Sequence, residues 1–389
     1  MKEIYITGDN IISSLGFTTE ENFALLESGV SGIRECTDQS LSPSPLLLSQ
    51  VDNFSLEERF ALMLMEMSKS NAPGSYTRLE KMMILSVYDA TRNLPLDLRS
   101  PKLLFILSTT KGNIQLLEEK YRLVFDHKRV FLWELARVIA SFFGFSNPPL
   151  IISNACISGV VALNMGARHL RSGKYTHAVI TGGDMLSEFV IAGFQSFQSI
   201  SSSPCKPYDI SRDGLSLGEA CGTIILSDTA PEKGPAIGVL GGAITNDANH
   251  ISGPSRTGEE LGMALQVAME ESGLQPADIS LISAHGTATP YNDEMESKAI
   301  TCARLNAVPV NSLKGYWGHT LGAAGVIECV ASARSLATDT LIGTKGFDTL
   351  GVPEPINVIK ETSHTSLQTC LKTASGFGGC NAAIILQKK

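Results

Sequence analysis

Short apolar runs alternate with longer amphipathic segments along most of this chain. The apolar runs predict strands at residues 3–8, 102–109, 150–155, 177–183, 222–228, 235–244, 281–286, 308–313 and 382–389. Apolar positions with helical spacing predict helices at residues 55–70, 132–144, 158–173, 257–273 and 321–337. Strands that alternate with helices indicate an α/β fold built around a central sheet.

Segments in the first part of the chain resemble segments in the second part. The similar pairs are residues 220–228 (ACGTIILSD) with 379–387 (GCNAAIILQ), and 151–170 with 310–330. Internal similarity predicts a duplicated fold. We therefore expect two halves, residues 1–230 and 231–389, although α/β segments also share such patterns by chance.

The composition mainly excludes classes of function. The 389 residues are 43% hydrophobic, which is enough to bury the core of two domains. A net charge of -8 without a long basic run argues against nucleic acid as a partner. No apolar run approaches the roughly 20 residues of a membrane helix, and the first residues lack the apolar core of a signal peptide. We expect a cytoplasmic protein that binds neither nucleic acid nor membranes.

Eight cysteines are scattered without a C-x-x-C pair, which predicts reduced thiols and no metal site. One of them, Cys156, lies in the sequence SNACISG, between a predicted strand and a predicted helix. The start of a helix offers free N–H groups and a positive dipole end, which favour the reactive thiolate. A single cysteine is more often a small buried residue, so the motif alone leaves both interpretations open.

The sequence SAHGTATPYNDEMES places His285 at the end of a predicted strand. Thr287 and Thr289 alternate after it, so their hydroxyl groups are expected on one side of an extended segment, where they could bind an amide-bearing ligand. Carboxylates then open the next helix, where they suit the helix dipole: Asp293, Glu294 and Glu296. A hydrogen-bonded core histidine followed by an ordinary helix start is the alternative.

A second histidine, His319, shares a glycine-containing loop with Lys314. A nearby ammonium group disfavours imidazolium and keeps a histidine a neutral hydrogen-bond donor. Glu328 is a candidate ion-pair partner of Lys314, and the small residues at 322–325 predict a closely packed helix. A surface lysine beside a helix-packing face would explain the same residues.

Glycines flank Phe377 in the sequence SGFGGCN. They predict a mobile aromatic side chain on a tight turn whose backbone N–H groups face a ligand. The stretch is too short for a dinucleotide-binding fingerprint and does not open a helix. A plain β-turn is the alternative.

Taken together, a thiol, two histidines, a lysine and a glycine-flanked phenylalanine in this order resemble the β-ketoacyl synthases of the thiolase-like superfamily. The pattern is most similar to the elongating I/II type, which uses acyl carrier protein. The similarity includes IYITGDNIISSLG, KPYDISRDGLSLGEACGTIIL, HGTATP, KGYWGHTLGAAG and GFGG. It implies a duplicated α-β-α-β-α fold with two mixed central sheets. It also implies a decarboxylating Claisen condensation that produces a 3-oxoacyl-acyl-carrier protein, in fatty acid, polyketide or aryl-polyene-type biosynthesis.

The resemblance also implies catalytic roles. Cys156 would take the acyl group, and His285 and His319 would hold the malonyl thioester and promote decarboxylation. Backbone N–H groups of Cys156 and Phe377 would form the oxyanion hole. Lys314 would order the histidines, and the Phe377 side chain would act as a gate between the two half-reactions.

Supporting residues follow from the same resemblance. Thr287 and Thr289 would bind the phosphopantetheine arm of the carrier protein. Glu328 would pair with the catalytic lysine, and Asp293 and Glu296 would support the site from the following helix.

The implied partner is an acyl carrier protein, which brings the phosphopantetheine, so no cofactor or metal ion of the chain's own is expected. A homodimer is implied, with residues 100–120 near its interface, and a heterodimer with a related subunit is an alternative. Because carrier proteins are acidic, Lys206, Lys128 and Arg129 are candidate docking residues.

Some positions depart from the family pattern. Lys111, expected with Phe194 along the acyl tunnel, stands where long-chain synthases place an apolar residue. Ser375 stands where relatives often carry an aromatic residue, and the stretch 196–206 is short. These departures predict a substrate other than a long saturated acyl chain, unless Lys111 turns towards solvent.

Two other functions are alternatives to an elongating synthase: a non-catalytic partner subunit, and a thiolase or starter synthase. A non-catalytic partner subunit of a synthase usually lacks the cysteine, which is present here. A degradative thiolase or a starter synthase would favour a second cysteine or an asparagine in place of one histidine, and His319 argues against both.

Overall fold

The computed structural model describes residues 2–69, 76–121, 123–251 and 253–389. Its helices are α1 Thr19–Glu27, α2 Asn53–Glu66, α3 Arg78–Thr91, α4 Leu132–Phe143, α5 Ser158–Arg171, α6 Glu188–Ser196, α7 Glu259–Ser272, α8 Pro290–Cys302, α9 Lys314–Trp317 and α10 Ala324–Thr338. Its strands are β1 Tyr5–Ile12, β2 Ile33–Cys36, β3 Leu46–Ser49, β4 Leu103–Ser108, β5 Leu150–Ile152, β6 His177–Asp184, β7 Leu217–Gly218, β8 Ala220–Ser227, β9 Ile237–Asn246, β10 Leu281–Ser283, β11 Pro309–Asn311, β12 Thr340–Leu341, β13 Asn357–Val358, β14 Ser363–His364, β15 Thr369–Gly376 and β16 Cys380–Lys388.

The main sheet consists of two halves with the same strand order. The first half runs β5-β4-β6-β8-β1, and the second runs β11-β10-β15-β16-β9 with β13 at its outer edge. In each half the first three strands are mutually parallel and the last two pair antiparallel. This repeated topology confirms the predicted duplication.

The two halves meet edge to edge through a short pairing of β1 with β9. The pairing joins Tyr5 to Gly238 and Ile6 to Ile237. The two mixed sheets that the resemblance implied are therefore halves of one continuous eleven-stranded sheet. The division into domains at residue 230 stays a prediction.

Alternating residues of the strands divide the core into layers. On β4, Leu104 and Ile106 face a cluster that includes residues of α5, α10 and β16. Leu103, Phe105 and Leu107 face a separate cluster with α3 and α4, as the two-residue period of a strand requires. A third cluster packs α7 and α8 on the outer face of the second half. The layers therefore run helix, sheet, helix, sheet, helix, as expected.

Local sequence signals explain many helix boundaries. Thr18 with Glu21, and Thr77 with Glu80, form capping boxes at the starts of α1 and α3. Gly144 ends α4 in the left-handed conformation with φ 75°. Each predicted strand and helix has a counterpart in the structure, although residue 70 of the predicted helix 55–70 lies outside the described residues.

Several elements were not predicted, among them strand β15 and helices α1, α3 and α6. Strand β15 is buried in the centre of the second half but contains Lys372, Thr373 and Ser375, which obscure the apolar pattern of a central strand. Within the described residues, no helix is long and apolar enough to cross a membrane. A cytoplasmic location stays a prediction.

Candidate active site

The predicted site residues follow the carboxyl ends of parallel strands. Cys156 follows β5, His285 follows β10, and His319 comes after β11 and the short helix α9. Because the two halves have the same topology, these ends are brought towards the middle of the molecule. All three side chains line one cavity of about 400 Å³.

Two glycines allow the halves to approach each other at this point. A Cβ atom on Gly159 of α5 would lie 2.9 Å from the Cα atom of Gly325, and one on Gly325 would lie 2.5 Å from the backbone N of Val160. Real Cβ atoms do not come this close, so larger side chains would push α5 and α10 apart. The predicted close packing of the helix after His319 is confirmed, and it brings this histidine towards Cys156.

The backbone around Cys156 has an unusual conformation. Ala155 adopts φ 44°, which costs free energy for a residue with a side chain. Ser158 holds the turn, since its Oγ accepts from Asn154 N (2.8 Å) and donates to the Ala155 carbonyl (2.6 Å). The Cys156 side chain therefore projects from a constrained turn into the cavity.

The expectation that the helix start makes Cys156 a thiolate is wrong for the structure as it stands. Helix α5 begins at Ser158, two residues later, and Cys156 is only 7% exposed. Burial raises the pKa of the Cys156 thiol to about 12, and nearby Lys111 and Lys314 offset only part of that rise. Desolvation therefore outweighs the two nearby lysine charges, and the thiol must lose its proton during attack.

The loop that carries His285 is held by a buried carboxylate from α8. Glu296 accepts from the backbone N of His285 (2.8 Å) and Gly286 (2.7 Å) and from the Tyr208 hydroxyl (2.6 Å). Thr373 of β15 donates its hydroxyl to Glu296 and accepts from His285 N at 2.9 Å. These contacts fix the backbone from which the His285 side chain projects.

Asp293 performs a similar task one turn earlier in α8. It accepts from the backbone N of Thr287 (3.0 Å), Ala288 (3.2 Å) and Tyr208 (2.8 Å). Burial raises the pKa of Asp293 to about 6. The structure therefore places both predicted carboxylates, Asp293 and Glu296, behind the loop and not in the cavity.

A buried cluster of three charges lies behind the histidines. Lys314 Nζ lies 2.7 Å from Glu328 Oε1, as predicted, and Lys372 Nζ lies 2.8 Å from Glu328 Oε2. Lys372 also donates to the carbonyl oxygens of Ser283 (3.1 Å) and Ala284 (3.2 Å), directly before His285. The cluster carries one net positive charge in a part of the core closed to solvent.

Both histidines are held neutral by their surroundings. Burial, followed by the charge of Lys314, holds the pKa of His285 and His319 well below its usual value, and Lys372 adds to the effect on both. Their rings lie 5.2 Å apart between centroids at an interplanar angle of 86°. Two neutral imidazoles side by side can donate N–H groups to one developing oxyanion.

The hydroxyl oxygens of Thr287 and Thr289 lie 2.8 Å apart, so they share one side of the loop. Both residues line the same cavity as Cys156 and the histidines. Their role in binding phosphopantetheine stays a prediction.

The Phe377 turn lies directly against the Cys156 backbone. A Cβ atom on Gly376 would be 3.1 Å from Cys156 N, and Gly378 and Gly379 adopt φ 86° and 74° in the turn between β15 and β16. The Phe377 ring stacks on Phe194 with centroids 5.7 Å apart. The turn therefore lies next to Cys156 N, and an oxyanion hole made by the backbone N–H groups of Cys156 and Phe377 stays a prediction.

Comparison with known protein families shows which family the chain belongs to. The family models described as "Beta-ketoacyl synthase, N-terminal domain" and "Beta-ketoacyl synthase, C-terminal domain" match residues 110–231 and 237–348. The chain belongs to the β-ketoacyl synthase family.

Individual relatives in this family match along the whole length. The "3-oxoacyl-[acyl-carrier-protein] synthase 2" of Staphylococcus aureus is 26% identical over 419 residues, covering 100% of this chain and 98% of the relative. Two solved structures share the β-ketoacyl synthase fold. A Xenorhabdus doucetiae ketosynthase (ApeO) in complex with its chain length factor (ApeC) has a TM-score of 0.87 at 23% identity, covering 100% and 98% of the two chains. A ketosynthase in complex with a type II PKS acyl-carrier protein has a TM-score of 0.82 at 22% identity, covering 100% of each.

A second cavity, of about 330 Å³, adjoins Cys156 in this β-ketoacyl synthase. Cys156 lines both cavities together with three phenylalanines, Phe194, Phe197 and Phe377. Lys111 and Thr110 line only the second cavity. Lys111 and Phe194 therefore both line this second cavity, and their place in an acyl tunnel stays a prediction. The Phe377 ring, 36% exposed, borders both spaces.

The sequence prediction of the site omitted Lys372 and Ser312. Ser312 donates its hydroxyl to the Gly286 carbonyl at 2.7 Å and so ties β11 to the loop of His285. Lys372 lies on β15, a strand that was not predicted. Once that strand is known, a lysine at an interior strand position is the sequence signal that would have indicated a buried charge. Within the described residues, no group of His, Cys, Asp and Glu side chains could hold a metal ion.

The predicted docking residues differ in their surroundings. Arg129 forms an ion pair with Glu80, which is fully buried, so this arginine holds the core and is a poor docking residue. Lys206 is partly buried and donates to the Ser211 hydroxyl at 3.3 Å. Carrier-protein docking at Lys206 and Lys128 stays a prediction.

Proposed function

We propose that the chain catalyses the decarboxylating Claisen condensation of an acyl group held on Cys156 with malonyl-acyl-carrier protein. The product is a 3-oxoacyl-acyl-carrier protein, in fatty acid or polyketide biosynthesis. One observation carries the proposal: a single thiol borders two cavities, and two neutral histidines line only one of them. This arrangement suits an enzyme that stores an acyl group on one side and activates a second substrate on the other.

In the first half-reaction, Cys156 Sγ attacks the carbonyl carbon of the acyl thioester on the carrier protein. The backbone N–H groups of Cys156 and Phe377 stabilise the oxyanion of the tetrahedral intermediate. The bond to the carrier sulfur then breaks, and that sulfur leaves with the proton of the Cys156 thiol.

In the second half-reaction, the bond between the malonyl methylene carbon and its carboxylate breaks and carbon dioxide leaves. The electron pair becomes an enolate, whose oxygen accepts hydrogen bonds from His285 and His319. The enolate carbon attacks the Cys156 thioester, the carbon–sulfur bond breaks, and Cys156 leaves as a thiolate that takes a proton. Neutral imidazoles suit this step because they donate hydrogen bonds without protonating the nucleophile.

The partners follow from this chemistry. A carrier protein supplies each thioester on a phosphopantetheine arm, and Thr287 and Thr289 bind that arm, so the chain needs no bound cofactor of its own. Support comes from a ketosynthase of the same fold that is described in complex with an acyl-carrier protein. Others are described with a chain length factor, so we propose a dimer that is either homodimeric or formed with a related subunit.

The test is a condensation assay with labelled malonyl-carrier protein and a panel of acyl thioesters that includes oxygen-bearing ones. We expect wild type to form 3-oxoacyl products two carbons longer than the donor. Cys156→Ala should form at least about a thousandfold less, because the nucleophile is missing. If wild type forms no product from any donor in the panel, the proposed function is wrong.

A further inference from the structure

The second cavity is largely apolar but contains one ammonium group. Its apolar lining consists of Phe189, Val190, Phe194, Phe197, Leu321 and Phe377. Lys111 is the one ionisable side chain besides Cys156 that lines it within the described residues. Such a mixture is unusual for a site that stores a plain alkyl chain, since an alkyl chain offers no hydrogen-bond acceptor.

The Lys111 ammonium has little compensation from the protein. Lys111 Nζ donates a long hydrogen bond, 3.4 Å, to the Thr110 hydroxyl. In the described part of the chain, no carboxylate lies within ion-pair distance of it. Asp184, the last residue of β6, accepts from Thr109 Oγ1 (2.8 Å), Thr110 N (2.8 Å), Gly322 N (2.7 Å) and the backbone N of Lys111 (3.4 Å).

The ammonium also lies close to the reacting groups. Its charge lowers the pKa of both Cys156 and His319, although burial is the larger influence on each. Lys111 is partly buried and lines the same cavity as Cys156. A bound acyl chain that covers this wall would remove water from the ammonium group.

We propose that the acyl group stored on Cys156 carries an oxygen, as a ketone or a carboxylate, and that Lys111 binds this oxygen. This proposal rests on the proposed function. An alkyl chain would desolvate the ammonium without replacing its hydrogen bonds, which is unfavourable. An acyl oxygen would accept a charge-assisted hydrogen bond from Nζ instead. Lys111 is then a specificity-determining residue, and the phenylalanines pack against the carbon skeleton of the same acyl group.

The test compares acyl transfer to Cys156 from three thioesters of equal chain length: a plain alkyl donor, a 3-oxo donor and a donor with a terminal carboxylate. In each case the bond to the carrier sulfur breaks and a bond to Sγ forms, so intact-protein mass spectrometry reports the rate. We expect wild type to prefer at least one oxygen-bearing donor by at least tenfold in kcat/KM, a difference of about 1.4 kcal/mol. Lys111→Met should lose that preference and accept the alkyl donor faster.

Lys111→Arg is the matched variant, since it keeps the charge, and it should retain most of the preference. An equal wild-type rate for all three donors, or a preference that Lys111→Met leaves unchanged, would overturn the proposal while leaving the proposed function intact. If Lys111→Met reacts with none of the donors, Lys111→Gln takes its place as the neutral variant, and a preference that it leaves unchanged would overturn the proposal. Absence of acylation from every donor in wild type would instead refute the proposed function.

Discussion

Cys156→Gln is expected to lose condensation and to retain decarboxylation of malonyl-carrier protein. The glutamine amide fills the place of the acyl thioester, and its carbonyl oxygen can accept from the backbone N–H groups of residue 156 and Phe377. No acyl group can be stored, so condensation should fall at least about a thousandfold. Decarboxylation should stay within about tenfold of wild type, because His285 and His319 are unchanged. Release of labelled carbon dioxide and formation of 3-oxoacyl product are measured in the same reaction.

Adding His319→Ala to Cys156→Gln provides the control. Removal of one oxyanion donor should reduce decarboxylation by about a hundredfold to a thousandfold. Equal loss of both activities in Cys156→Gln alone would contradict the assignment of decarboxylation to the two histidines.

Glu328→Gln is expected to destabilise the protein strongly, because it leaves Lys314 and Lys372 buried without a counter-charge. Removing one partner from a buried ion pair costs about 3–5 kcal/mol. The loss should be measured as the free energy of unfolding in urea at pH 7. Lys372→Met is the matched comparison, since it leaves one balanced pair of Lys314 and Glu328, and it should cost less.

The pH dependence separates this electrostatic effect from simple loss of packing. Burial alone would raise the pKa of Glu328, but Lys314 and Lys372 lower it below its ordinary value. In wild type, the contribution of the Glu328 carboxylate to the free energy of unfolding is therefore fully present above its unfolded pKa of about 4.3. It is lost only as the pH falls through the lower pKa that Glu328 has in the folded protein. In Glu328→Gln the stranded lysines bind protons less tightly when folded, so stability should rise with pH above 7. A pH-independent difference between the two proteins would contradict this explanation.

The Lys372→Met variant also tests how the buried charges affect catalysis. Lys372 contributes to the lowered pKa of both imidazoles, after burial and Lys314. Lys372→Met should therefore move the acid limb of the decarboxylation profile to higher pH, since the histidines protonate more readily.

Much of the fold and the site followed from local patterns. Apolar periodicity predicted the alternating elements, and two similar segments indicated the duplication that the strand order confirms. Cys156, His285, His319 and Phe377 were predicted as site residues, and the structure places all four around the two adjoining cavities. Lys314 does not line these cavities; it lies behind the histidines, paired with Glu328.

The remaining features depend on tertiary surroundings. Strand β15 was not predicted because Lys372 looks unsuitable for a central strand until its partner Glu328 is known. The protonation of Cys156 was misjudged because the sequence shows the helix start but not the extent of burial. Arg129 was chosen for docking because its partner, Glu80, is distant in sequence.

The most direct measurement locates the acyl group after the first half-reaction. Wild-type protein is incubated with an acyl-carrier protein in the absence of malonyl substrate, digested, and analysed by peptide mass spectrometry. We expect one acyl group, attached to the peptide that contains Cys156 and absent from Cys156→Ala. An acyl group on another of the eight cysteines, or one that persists in Cys156→Ala, would contradict it.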